Sequence, residues 1–326
     1  MTPEAFRHAL ILTGPTGSGK SRLALALAER LGAEIVSMDS MALYRYMDVG
    51  TAKPSAEDRR RVPHHLIDVL DPWEPASVAW WLGRAAACCR EIESRGKRAL
   101  IVGGTPLYLK ALLHGLFDGP PADEALRRRL TDEADRDGRE ALHRRLAEVD
   151  AVSAARLHPN DVRRIIRALE VWELTGRPIS AWQTQWAEAP DLPPDRCLCL
   201  DLPRPVLYQR IDARVGTMIA GGWVEEARAL RALGRPLSRE AAQALGYREV
   251  FDHLDGRATL EETVRLVQVR SRQFAKRQLT WFRRLPGCRF VPEELTFALW
   301  GLTMNGGGER QATPEAGASH GPSAVL

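Results

Sequence analysis

The chain has 326 residues, 44% of them hydrophobic and 27% charged, with a net charge of +4, a composition that suits more than one compact unit with its own core. The five cysteines (Cys88, Cys89, Cys197, Cys199 and Cys288) form no C-x-x-C pair, which excludes a metal-ligand spacing and leaves buried, reduced thiols. No run approaches the ~18 apolar residues of a membrane span, and no basic region followed by a long apolar stretch opens the chain, so a cytoplasmic protein without membrane association is expected.

Leu10 to Thr13 is the first short apolar run, fit for a buried strand. It leads into Gly14-Pro15-Thr16-Gly17-Ser18-Gly19-Lys20-Ser21, a full match to G-x-x-x-x-G-K-[ST], and the helix-favouring segment Arg22 to Ala28 follows. In that strand, loop and helix context the glycines let backbone N–H groups turn inward, and the helix N-terminus adds partial positive charge. Lys20 contributes a point charge and the Ser21 hydroxyl a ligand for Mg²⁺. Gly14, Thr16, Gly17, Ser18, Gly19, Lys20 and Ser21 are therefore expected to bind a di- or triphosphate. The motif leaves the reaction open.

A second run, Glu34 to Ser37, ends in Met38-Asp39-Ser40. The carboxyl ends of strands in a doubly wound sheet face the ligand crevice, so Asp39 is expected to point at whatever the loop holds. Its carboxylate suits a general base, an indirect Mg²⁺ contact or a cap on the next turn. Tyr44, Arg45 and Lys53 follow in a loop without periodicity, which suggests more than packing. The third run, Ala99 to Val102, ends in Gly103-Gly104-Thr105, where many P-loop phosphotransferases place an acid that helps hold Mg²⁺ and a polarised water. Its absence argues against ordinary nucleotide hydrolysis, and there is no guanine-reading Asn-Lys-x-Asp segment. Thr105 serves equally well as a ligand contact or as a turn-capping hydroxyl.

The fourth run, Arg196 to Asp201, comes only after a long gap. From Pro120 to Pro194 the pattern is helical and Arg-rich, with segments at Ala125 to Asp135, Gly138 to Val149 and Asp161 to Thr175. In the last, Val162, Ile165, Ile166, Leu169 and Trp172 share a face, Asn160 stands as N-cap, and Gly176 with Pro178 closes the helix. Arg163, Arg164 and Arg167 lie opposite the apolar stripe. Helices resume from Pro205 to Leu285, and Cys288 to Val291 is the fifth strand candidate. The pattern is that of an α/β fold, a parallel sheet core carrying a helical insertion. Its expected parts are a P-loop core at 1–119, the insertion at 120–194, a return to the core at 195–302, and a Gly-, Pro- and Ser-rich disordered tail at 303–326.

Charge is most uneven near the end of the folded part. Thr263 to Pro292 contains no acid, yet Arg265, Arg270, Arg272, Lys276, Arg277, Arg283, Arg284 and Arg289 fall there. Arg265, Arg272, Lys276 and Arg283 recur at helical spacing, interleaved with Gln273, Phe274, Gln278, Trp281 and Phe282. Such a face suits phosphate contacts and base stacking, or is a solvated basic face whose aromatics are core.

Taken together, these segments resemble the bacterial tRNA dimethylallyltransferases. The resemblance runs in colinear order through Gly14 to Ser21, Asp39-Ser40, Tyr44, Met47-Asp48-Val49-Gly50-Thr51-Ala52-Lys53-Pro54 and Pro63-His64-His65-Leu66-Ile67-Asp68. It continues through Gly103-Gly104-Thr105-x-Leu107-Tyr108, Ile166-Arg167-Ala168-Leu169-Glu170 and Lys276-Arg277-Gln278-x-x-Trp281-Phe282. It implies a P-loop kinase-like core whose cradle holds the diphosphate of dimethylallyl diphosphate, with Mg²⁺ on Ser21, while the five-carbon group passes to an adenine amine 3′ of the anticodon. Asp39, Thr105 and Arg214 would be catalytic: base, channel contact and diphosphate holder. The tRNA anticodon stem-loop would meet Asp39, Ser40, Met41, Ala42 and Thr105 in the channel, and Arg127, Arg163, Arg164, Ile165, Ile166 and Arg167 on the insertion. It would also meet Gln243, Gly246, Tyr247 and Arg248, and then Lys276, Arg277, Gln278, Trp281 and Arg283. A monomer is expected. The sequence departs from the family's pattern at Met41-Ala42 and Tyr46, where more polar and smaller residues are usual. With no cysteine after Cys288, no zinc-binding extension like that of eukaryotic members is expected. A prenyltransferase acting on free adenine nucleotides and a small-molecule P-loop kinase are the alternative functions.

Overall fold

The computed structural model describes residues 3–117, 119–182, 193 and 195–302. The expected tail and the end of the expected insertion lie outside the described residues. One sheet of six parallel strands has the order β3-β2-β4-β1-β5-β6. The strands are β1 (Leu10–Thr13), β2 (Ala33–Ser37), β3 (His64–His65), β4 (Arg98–Gly103), β5 (Cys197–Leu200) and β6 (Arg289–Val291). Five match the apolar runs of the sequence; β3 has only two residues and no apolar side chain, so periodicity gives it no signal.

Helices α1 (Lys20–Leu31), α2 (Ala56–Arg61), α3 (Val78–Ser94) and α4 (Pro106–His114) belong to the first half of the sheet. Five more follow without a strand: α5 (Glu124–Asp137), α6 (Arg139–Val149), α7 (Ala151–Arg156), α8 (Val162–Thr175) and α9 (Ile179–Trp182). After β5 come α10 (Arg204–Ala220), α11 (Trp223–Ala232), α12 (Tyr247–Leu254) and α13 (Leu260–Phe282), and α14 (Glu293–Leu299) follows β6.

Successive strand residues point to opposite faces, so both faces need apolar side chains and both are covered. Ile11, Val36 and Ile101 join a layer with α3, α4, α11 and α12, while Leu12, Ile35 and Leu100 join a second layer with α1 and α14. Leu130, Leu142, Leu146, Ile165 and Leu169 of α5, α6 and α8 form a separate core. Gly176 closes α8 in the left-handed conformation, donating its N–H to Trp172 O at 2.7 Å. The other end differs from expectation. Asp161 occupies the N-cap position, and the Asn160 amide oxygen accepts from Arg139 at 3.4 Å instead of capping.

The loop between β2 and β3 is held by buried charge. Lys53, its side chain 1% exposed, reaches Asp48 at 2.7 Å, Asp68 at 2.6 Å and the Tyr44 carbonyl. Tyr44 is fully buried and Arg45 pairs with Asp71. These three residues, singled out as more than packing, thus fix the loop. Glu226 on α11 grips the same loop, accepting the N–H groups of Asp48 and Val49 at 2.6 Å and of Gly50 at 3.0 Å, with the Tyr247 hydroxyl at 2.6 Å. Glu226→Ala strands all four donors. A hydrogen bond to a charged group contributes about 1.5–3 kcal/mol, so urea unfolding should show about 2 kcal/mol of lost stability; a change below about 0.5 kcal/mol, typical of an uninvolved surface site, would show that the loop is held without it.

Candidate active site

The phosphate-binding motif connects β1 to α1. Gly17 and Gly19 have φ of +79° and +89°, where a side chain would be strained, and a Cβ on Gly17 would lie 2.7 Å from Ile211 of α10. The loop therefore curls tightly against α10, whose Arg210 donates to Ser18 O at 3.3 Å. Ser18 is buried, and its hydroxyl has no partner among the described residues. Lys20 bends back over the loop toward Pro15 O at 3.4 Å. Burial pulls its pKa down to about 8, the nearby charge of Arg214 pushing the same way while Asp39 opposes. Burial also lowers Arg214, again against Asp39, though a guanidinium stays charged. Two partly desolvated cations thus share one carboxylate.

Asp39 and Thr105 stand at the carboxyl ends of β2 and β4. One Asp39 oxygen accepts the Met41 N–H at 2.9 Å, so the turn-capping role is present at that oxygen. Thr105 is the N-cap residue of α4 but makes no side-chain cap; its hydroxyl accepts the Ser40 N–H at 3.1 Å, tying the two strand ends together. A Cβ at Gly103 would lie 2.1 Å from Met38 O, so β2 and β4 end in backbone contact where a carboxylate would otherwise stand. At Gly103, then, an acidic side chain is sterically excluded.

A cavity of 1370 Å³ runs from this cluster outward. Thr16, Lys20, Asp39, Ser40, Met41, Thr105 and Arg214 line its inner part. Arg127, Arg163, Ile166 and Arg167 from the helical unit also line it, as do Gln243, Gly246, Arg248, Arg277 and Gln278 from the core. A smaller cavity of 370 Å³ shares Lys20 and Asp39 and adds Ser21 and Ala42. Among the described residues no three His, Cys, Asp or Glu side chains are grouped to hold a metal, and no helix is long and apolar enough to cross a membrane.

Several residues expected against tRNA lie outside the cavity wall or present little surface to it. Ile165 and Tyr247 are buried, at 0% and 1% exposure, because one packs in the core of the helical unit and the other donates to Glu226. Gln278 is likewise buried, its amide spent on backbone groups. Arg164 pairs with Asp161 at 3.4 Å. Lys276, Trp281 and Arg283 are exposed on α13 or at its end, outside the cavity. The basic face of α13 also divides: Arg265 pairs with Glu261, and Arg272 with Asp212 of α10. Lys276, Arg277, Arg283 and Arg284 have no carboxylate partner among the described residues, Arg277 and Arg283 lying instead over the Phe274 and Phe290 rings.

Sequence reasoning gave no role to one residue that shapes the site. Glu170, fully buried, accepts from Arg127 at 2.9 Å and from Arg167, aligning both along the cavity wall. Its sequence signal was an acid at the edge of the apolar stripe of α8, one of two acids in that helix. Phe274, which the sequence leaves open between base stacking and core, lines the cavity beside Arg277.

Comparison with known proteins bears on the same residues. The model of a family described as IPP transferase matches residues 42–285, and one described as isopentenyl transferase matches 7–65. A tRNA dimethylallyltransferase of Geobacter metallireducens is 52% identical over 87% of this chain and 92% of its own length, and one of Geobacillus kaustophilus is 47% identical over 84% and 86%. The crystal structure of a Bacillus halodurans tRNA isopentenylpyrophosphate transferase superposes with a TM-score of 0.63 at 41% identity, covering 88% of this chain and 90% of that one. A eukaryotic dimethylallyltransferase, captured acting on tRNA, gives a TM-score of 0.73 at 27% identity, covering 87% of this chain and 73% of that one. A motif for polyphosphate, a strand end closed to an acid, and an arginine-lined cavity thus occur in a chain that belongs to the IPP transferase family, the family of the tRNA dimethylallyltransferases.

Proposed function

We propose that this chain transfers the dimethylallyl group of dimethylallyl diphosphate to the exocyclic amine of the adenine 3′ of the anticodon in tRNA, releasing diphosphate. The observation that carries this reading is the single cavity joining Lys20, Arg214, Asp39 and Thr105 to the arginines of α5, α8 and α13. Its 1370 Å³ exceeds the roughly 300–1,000 Å³ of a small-molecule pocket, which disfavours a free nucleotide as acceptor. A kinase is disfavoured by the strand end closed at Gly103.

In this reading Lys20, Arg214 and the loop N–H groups hold the diphosphate and neutralise the charge that grows as its carbon–oxygen bond breaks. Asp39 orients the adenine amine and takes its proton, the amine nitrogen forming the new bond to carbon. An adenine in a stacked anticodon loop must be flipped out to reach so deep a site, and basic groups on both sides of the cavity grip the loop while it is. Mg²⁺, when bound, adds charge neutralisation at the diphosphate. With no carboxylate cluster to cage it, its fit is to the Ser21 hydroxyl, Asp39 at second hand and the substrate's own oxygens, a ligand set typical of Mg²⁺.

Incubation with dimethylallyl diphosphate and either tRNA or AMP, followed by nuclease digestion, should yield prenylated adenosine from tRNA. Product from AMP alone would overturn the choice of acceptor. Asp39→Asn keeps the oxygen that accepts the Met41 N–H but cannot take a proton, so its single-turnover rate should fall by ~10²–10⁴ with little change in binding. A loss of less than about threefold, far below that general-base range, would leave Asp39 as the turn cap alone.

The Lys20 ammonium is charged below about 8 and neutral above it. Affinity for an unreactive thiolo analogue of dimethylallyl diphosphate should therefore fall as pH rises through that value, by up to about tenfold per unit. The same measurement on Lys20→Arg should be flat; a flat profile for the parent together with unweakened analogue binding by Lys20→Ala would show that Lys20 does not meet the diphosphate.

On α13, Lys276→Ala and Arg277→Ala should each lower the slope of log tRNA affinity against log salt by ~0.7–0.9. Arg272→Ala, already neutralised by Asp212, should leave the slope unchanged. The reverse pattern would return Lys276 and Arg277 to a merely solvated face.

A further inference from the structure

We propose that Gln278 is a positioning residue for the diphosphate cradle, although it lies within the basic segment of α13 that suits RNA. The inference rests on the reading of the cradle as the diphosphate site. Gln278 is 3% exposed, so it presents little to an RNA. Its Oε1 accepts the Thr16 N–H at 2.8 Å and its Nε2 donates to Gly104 O at 2.6 Å. One side chain thus bridges the phosphate-binding loop and the end of β4, positions distant in sequence. A carboxamide of this length satisfies a backbone N–H and a backbone C=O at once, whereas a carboxylate cannot donate and a thioether does neither usefully.

The surroundings are fitted to this amide. A Cβ on Gly104 would lie 2.8 Å from Nε2 and 3.0 Å from Gly14 O, so a glycine is what admits the bridge. Thr16 lines the cavity next to Lys20, in the loop whose N–H groups must face inward before an anion arrives. A loop of three glycines has many conformations to lose, and an anchor at Thr16 removes some of that cost in advance. Gln278 acts here through the loop and touches no reacting atom.

The test uses Gln278→Met, of similar length but without the paired hydrogen bonds, and Gln278→Glu, which keeps the acceptor for Thr16. Both are assayed well below their melting temperatures. For Gln278→Met, the KM for dimethylallyl diphosphate and the Kd of its thiolo analogue should rise on the order of tenfold, while the Kd for an anticodon stem-loop stays within about twofold, less than the loss of one hydrogen bond. Gln278→Glu, whose carboxylate would face the Gly104 carbonyl and add negative charge beside the cradle, should bind the analogue no better than Met, and parent-like analogue binding by the Glu variant would overturn the inference. Weakened stem-loop binding with unchanged analogue binding would overturn the inference and make Gln278 an RNA contact. Should the Met variant fail to fold, amide exchange decides: in the unliganded parent the Thr16 N–H must exchange slowly, and rapid exchange overturns the clamp. A protected Thr16 in a parent that bound no analogue would support the clamp and overturn the substrate.

Discussion

Charge held away from water is the constraint on which the rest of this structure depends. Lys20 and Arg214 are drawn far enough inward that burial works against their charged forms, and a single carboxylate, Asp39, stands with them. A site with two cations and one anion is unsatisfied by its own residues, and the deficit favours an anionic ligand over water. The loop glycines, the α1 N-terminus and Arg210 behind Ser18 add fixed dipoles and charge of the same sense. Binding of a polyanion relieves strain that folding alone leaves in place.

The wall opposite this charge is built of backbone. Gly103 lets the end of β4 meet Met38, Gly104 admits Gln278, and Thr105 joins Ser40. A P-loop enzyme that hydrolyses a nucleotide needs an acid near this place; a group transfer that expels diphosphate needs only the leaving charge neutralised and the acceptor aligned. The close contact of β2 and β4 is compatible with the second chemistry and leaves little room for the first.

Much of this was legible in the sequence, because the signals were local. The phosphate-binding motif, five of six strands and the Gly176 helix stop each depend on a few adjacent residues. What escaped depends on long-range pairing. A two-residue β3 has no period; Glu226 becomes a loop anchor only when α11 meets Asp48 to Gly50; Ile165 and Tyr247 were assigned to RNA by their motif neighbours, whereas packing buries them. Asn160 is a better N-cap than average, but Arg139, distant in sequence, holds its side chain.

The same distinction governs the arginines, which sequence treats alike. Arg272 is paired with Asp212 of α10, a partly buried contact that ties two helices and leaves it less charge to offer a phosphate, whereas Arg265 and Glu261 form an exposed pair along α13 that water and salt screen. Arg127 and Arg167 are paired too, but to a fully buried Glu170 that must keep a cation beside it, which fixes both guanidinium groups along the cavity wall. Lys276, Arg283 and Arg284 have no such partner among the described residues and keep their charge at the surface. The basic residues of these helices are therefore three populations: charges spent on structure, charges aimed by a buried acid, and charges left for solvent and ligand. Only the last two can contribute to gripping a polyanion, and only the aimed ones carry geometric information about where its backbone lies.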